Sequence, residues 1–148
     1  MGQVFTMDSA HLKGDWNGVM LTLSVKDGNN CVVHVATAIT KKEDDPSYEY
    51  FLGNSKRNTE MGEWITRETT TCITDGHKGS DSALPKLVPL AESRRCVLHL
   101  LKNLHRLKPE AHDKLTNTPH EEWANCAARA NVIWDQTTSN MSETTNSM

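Results

Sequence analysis

A mixed α/β domain with a partly antiparallel sheet is predicted by three observations. Residues 18–26, GVMLTLSVK, and 31–40, CVVHVATAIT, are rich in β-branched residues, and Asp27-Gly28-Asn29-Asn30 lies between them. Asp-Gly between two such runs marks a hairpin. Downstream, short β-branched runs alternate with segments of helical spacing, the pattern of strands crossing back into one sheet.

In chain order, residues 3–8, QVFTMD, alternate weakly and end on an acid, giving a first strand. A turn at Asp15–Gly18 returns the chain, so the first forty residues read as a three-stranded antiparallel meander. Residues 43–53, EDDPSYEYFLG, read as a short helix, with Pro46 in its first turn and Gly53 as its stop. A polar stretch, 54–69, separates it from TTTCITD, 69–75, a short strand that ends on an acid. Gly79–Leu90 reads as a helix interrupted by Pro85, and 94–107, RRCVLHLLKNLHRL, starts extended and becomes helical. Pro119-His-Glu-Glu-Trp opens a further helix toward Trp134, and a polar tail follows. Trp123 and Trp134, about three helical turns apart, are expected to share a packed face.

With 148 residues the chain suits one domain. At 36% hydrophobic and 24% charged it is globular with a modest core. No run approaches the roughly 18 apolar residues of a membrane span. The N-terminus lacks the pattern of a signal peptide, so the chain reads as intracellular and non-membrane. Cys31, Cys72, Cys96 and Cys126 form no CxxC pair and read as reduced thiols, at least three of them packed side chains. The net charge of −3 argues against a general nucleic-acid-coating role. Between residues 86 and 114, however, seven Lys and Arg oppose three acids. On charge alone an ordinary solvated helix face accounts for that run. There is no Gly-rich phosphate loop, no GxSxG and no HExxH.

Three acids stand where elements can present them: Asp8 after the first apolar run, Asp75 at the end of TTTCIT, and Glu143 in the C-terminal SNMSETTN. Carboxylates on adjacent strands with a third on a later helix can hold two hard divalent ions, which suits phosphodiester chemistry. Among 19 acids this spacing is weak evidence by itself.

The order of the motifs carries more. MDSAHLKG, 7–14, followed by Trp16, Asn17, Gly18 and Leu21, resembles the opening of a Mutator-like element (MULE) transposase core. Lys26–Asn30 and His34-Val35-Ala36 are similar to its next two segments, and ITDGHKGSDSAL, 73–84, to the motif of its second acid. Arg95-Cys96-Val97-Leu98-His99-Leu100 with Asn103 looks like the family's Cys-x-x-His-x-x-x-Asn element. Asn140 and Asn146 flank Glu143 by three on each side, as around the third acid.

The resemblance implies an RNase H-like fold: three antiparallel strands, then parallel strands, flanked by helices. It implies a DDE triad of Asp8, Asp75 and Glu143 as catalytic residues and as ligands of Mg²⁺ or Mn²⁺. It further implies DNA strand cleavage and transfer, transposon-end DNA as partner, a second copy or a full-length transposase as possible company, and a nuclear location. His77, Cys96, His99, Arg94, Arg95, Lys102 and Arg106 are the candidates for supporting the acids or contacting DNA. Zinc is not favoured, since Cys96 and His99 have no second pair of diagnostic spacing among His105, His112, His120 and Cys126.

Departures from the family pattern shape the expected organisation. Asp75 and Glu143 are 68 positions apart, shorter than the family's helical insertion, so 107–134 reads as a remnant of it and 135–148 as a short segment carrying the third acid. Thr144-Thr145 stands where a Phe often follows the Glu. A single, partial transposase domain over 1–148 is expected, with a catalytically inactive or domesticated DNA- or protein-binding module as the alternative.

Overall fold

The computed structural model describes residues 3–15, 17–27, 29, 31–107 and 117–119. Strands β1 (Gln3–His11), β2 (Val19–Lys26) and β3 (Val32–Thr40) are followed by helices α1 (Asp45–Arg57) and α2 (Thr59–Ile65). Then come β4 (Thr70–Thr74), α3 (Lys78–Leu87), β5 (Glu92–Arg95) and α4 (Val97–Leu107). The five strands form one sheet in the order β3-β2-β1-β4-β5. β1–β2 and β2–β3 pair antiparallel, whereas β4 joins β1 and β5 joins β4 in parallel. This is the mixed, helix-flanked α/β architecture expected from the sequence, with an RNase H-like strand order.

Side chains alternate across a strand, so each face collects every second residue. Phe5 and Met7 of β1, Leu21 and Leu23 of β2, and Cys72 of β4 point to one face. There they meet Tyr48, Phe51 and Leu52 of α1, Ile65 of α2, and Ala83 and Leu84 of α3 in the main core. The opposite face holds a second, smaller cluster of Val4, Ile73 and Cys96, against which Leu98 of α4 packs. Its other buried positions are polar: Thr6, Asp8, Thr22, Ser24, Thr71, Glu92 and Arg94.

Four details depart from the sequence reading. β1 runs on to His11, because its pairing with β2 continues to His11 opposite Val19, so Asp8 lies within the strand and not at its end. α1 passes through Gly53 to Arg57, since Phe51, Leu52 and Ser55 on either side of it are buried. That packing outweighs the roughly 1 kcal/mol cost of a mid-helix glycine. The polar stretch 54–69 contains α2, started by Asn58, whose Oδ1 accepts from the Met61 amide at 3.0 Å. Finally, Pro85 lies inside α3 near its end, where the Val88 amide donates to the Leu84 carbonyl at 2.9 Å. The helix expected from Pro119 onward lies outside the described residues, apart from Pro119 itself, as do 108–116, Trp123, Trp134, Cys126 and Glu143.

Candidate active site at the carboxyl ends of the strands

β1, β3 and β4 all run in one direction, since β3 is antiparallel to β2 and β2 to β1. Whatever follows these three strands therefore gathers at one edge of the sheet, the edge at which open α/β sheets place their ligands.

Asp8 is buried in β1, opposite Thr22 of β2, whose hydroxyl donates to the Asp8 carbonyl at 3.4 Å. Asp75 directly follows β4. The parallel register places Phe5 beside Cys72 and Thr6 beside Ile73. Asp8 and Asp75 each follow the last of these pairs by two residues along their own segments. The Asp75 carboxylate also accepts from the His77 amide at 3.0 Å, which turns the chain from β4 into α3. The turn contains Gly76 at a φ of 83°, a left-handed conformation that glycine adopts without strain. The Arg95 side chain lies where a Cβ on Gly76 would stand, and its guanidinium pairs with Asp81 of α3 at 2.9 Å.

His77 caps α3. Its Nδ1 accepts from the Gly79 amide at 3.1 Å. The ring stacks on Tyr48 with centroids 5.7 Å apart. Gly79 is needed for that closeness, because a Cβ there would meet the Tyr48 ring at 2.7 Å and the Asp44 backbone at 3.0 Å.

Behind the turn stands Glu43, in the connection between β3 and α1. Its Oε1 accepts from Ser9 Oγ at 2.6 Å and from the Tyr48 hydroxyl at 2.9 Å. His77 Nδ1 is 3.8 Å from the same oxygen. Nδ1 already accepts from the Gly79 amide, so that approach is a close contact with the carboxylate and not a hydrogen bond. Burial, then the nearby charges of Glu43 and Asp75, push the Tyr48 hydroxyl far above its ordinary range, so it remains a donor. A cleft of about 480 Å³ opens beside this group, lined among others by His11, Asn17, Lys41, Lys42, Glu43 and His77.

The remaining sequence candidates divide. Cys96 is buried against Val4 and Ile73, and its amide donates to the Thr74 carbonyl at 2.7 Å. His99 is half-buried in the first turns of α4. Arg94 is buried, its Nε and Nη2 donating to Glu92 at 3.2 and 2.9 Å, so its guanidinium is engaged inside the domain and not displayed to a duplex. Lys102 and Arg106 are exposed on α4, Arg106 touching Asn103 at 3.3 Å. Among the described residues no three or more His, Cys, Asp and Glu side chains form a ready metal cluster. Asp8 lies in β1 and Asp75 directly after the adjoining β4, and the third acid named from the sequence, Glu143, lies outside the described residues. Ser9, Glu43 and Tyr48 were not singled out from the sequence as site residues. The signal that finds them is topological: β3 ends at the same edge as β1 and β4.

A mixed sheet of this order, with antiparallel β1–β3, parallel β4 and β5 and flanking helices, is that of an RNase H-like domain. The family model described as MULE transposase domain matches residues 4–103, more than half of the chain, and the chain belongs to that family. No curated protein sequence matches it.

Proposed function

We propose that this chain is the catalytic domain of a DNA transposase that cleaves and transfers strands with a DDE triad of Asp8, Asp75 and Glu143. The observation that carries this reading is the parallel pairing of β1 with β4, beyond whose last pair, Thr6 and Ile73, Asp8 and Asp75 each follow by two residues. Paired carboxylates are hard oxygen donors fitted to Mg²⁺ or Mn²⁺. Asp8, Asp75 and Glu143 would hold the ions, which when bound supply an activated attacking oxygen and a stabilised leaving oxygen. The protein's own part is positional. The β1–β4 register sets the spacing of the acids, and the His77 amide and the Gly76 turn orient Asp75. Lys102 and Arg106, exposed on α4, are suited to phosphates, contacts that locate a duplex without reading its sequence. Transposon-end DNA is the proposed substrate, in the nucleus, with a second copy or a full-length transposase as companion.

Mn²⁺ calorimetry on the folded wild type and on Asp75→Ala tests this. Binding that disappears in the variant supports it, and cleavage assays on DNA then follow. A well-folded wild type that binds no Mn²⁺ overturns it in favour of a DNA- or protein-binding module without the chemistry.

A further inference from the structure

Glu43 belongs to none of the motifs that mark the acids, yet it touches both segments that carry them. Ser9, bonded to it at 2.6 Å, is the residue after Asp8 on β1. His77, whose ring lies 3.8 Å from the same oxygen, is two residues after Asp75. Tyr48 of α1 completes the group, donating to Glu43 at 2.9 Å and stacking on His77.

We infer that Glu43 is a positioning residue that braces the Asp8 and Asp75 segments against each other through Ser9, Tyr48 and His77. The inference rests on the catalytic reading above and deepens it. Two neighbouring carboxylates repel until a cation lies between them. Backbone hydrogen bonds of the sheet end at Thr74, so beyond that residue the Asp75 turn depends on side chains for its position. Glu43 acts from the other face of the sheet. Ser9 and Asp8 are consecutive on β1 and point to opposite sides, so Glu43 grips the strand from behind the acid without competing for the ion. Its two hydrogen-bond donors come from different elements, and Tyr48, buried and firmly protonated, is a fixed one. Gly79 admits the Tyr48 ring against the α3 terminus, so the capping His77 inherits the position of α1. Partners of this kind behind ligating carboxylates typically change metal affinity about 10–100-fold when removed.

The test uses the whole chain in four forms: wild type, Glu43→Ala, Glu43→Gln and Asn58→Ala. Asn58→Ala removes the cap of α2, away from the acids, and serves as a destabilised control. Three quantities are read: the Kd for Mn²⁺ by calorimetry, hydrogen exchange of the His77 and Gly79 amides without metal, and the unfolding midpoint. The expected result for Glu43→Ala is a Kd weakened about 10–100-fold and faster exchange at both amides. Glu43→Gln, which keeps an oxygen acceptor for Ser9 and Tyr48, is expected to stay near wild type in both. Asn58→Ala is expected to lower the unfolding midpoint with an unchanged Kd. Unchanged exchange and an unchanged Kd in folded Glu43→Ala overturn the inference, and so does a Kd lost equally in Asn58→Ala. A wild type without Mn²⁺ binding overturns the catalytic reading, and the exchange comparison alone then decides whether Glu43 holds the turn.

Discussion

The two faces of the sheet are built from the same strands and on opposite principles. One face packs Phe5, Met7, Leu21, Leu23 and Cys72 against three helices in a continuous apolar core. The other sets Thr6, Asp8, Thr22, Ser24, Thr71, Glu92 and Arg94 around a small cluster of Val4, Ile73 and Cys96. The first face supplies stability by removing apolar surface from water. The second buries polar groups, which gain little net stability even when bonded and cost free energy when not. Stability is then carried mainly by the apolar side.

The sharpest way to break this contrast is on the apolar side. Leu52→Ala, at a fully buried position, should cost about 2–5 kcal/mol. Denaturant unfolding measures it, and the Kd for Mn²⁺ of the protein that remains folded should not move. Next comes Gly79→Ala, whose new methyl would press on the Tyr48 ring and the Asp44 backbone. Overpacking of this kind costs about 1–3 kcal/mol, and because it shifts His77 it should weaken Mn²⁺ binding as well. On the polar side, Asp8→Asn should change stability by less than about 1 kcal/mol while abolishing Mn²⁺ binding. A large stability loss there would refute the division of labour between the faces.

The smallest effect concerns acid. The Asp44 carboxylate caps α1 by accepting from the Ser47 hydroxyl at 2.7 Å and the Ser47 amide at 3.1 Å. The Ser47 hydroxyl first, then its amide, hold the Asp44 pKa below the ordinary value of 3.8. A group lowered in the folded state contributes stability that is present above its unfolded pKa and is lost as pH falls through the folded one. Asp44→Asn keeps a capping oxygen and removes the titration, so its stability profile should be flatter than wild type below pH 3.8. Thermal unfolding at stepped pH distinguishes the two.

Local chemistry made much of the fold legible. The Asp27-Gly28 turn between two β-branched runs marked the β2–β3 hairpin, and Asp27 Oδ1 does accept from the Asn29 and Cys31 amides at 2.9 and 2.8 Å. Pro46 marked the start of α1. Gly53 misled, because burial of Leu52 and Ser55 is a tertiary fact that glycine's local cost does not reveal. α2 was hidden in a polar stretch, where only Asn58 and the buried Ile65 announce it. Asp8 and Asp75 were named from motif order, and the structure places Asp8 within β1 and Asp75 directly after β4. Glu43 was not, since its role arises from three strand ends meeting, and no spacing in the chain encodes that meeting.

The parallel pairing of β1 with β4 has a consequence for how the molecule comes to exist. β1, β2 and β3 join through short connections, whereas Thr6 finds Ile73 only after the intervening chain has folded back. Contacts so distant in sequence form late, because closing the loop costs entropy before any pairing repays it. The segments that carry Asp8 and Asp75 are therefore brought side by side only in the completed domain, and a chain still emerging or partly unfolded carries both acids on separate stretches.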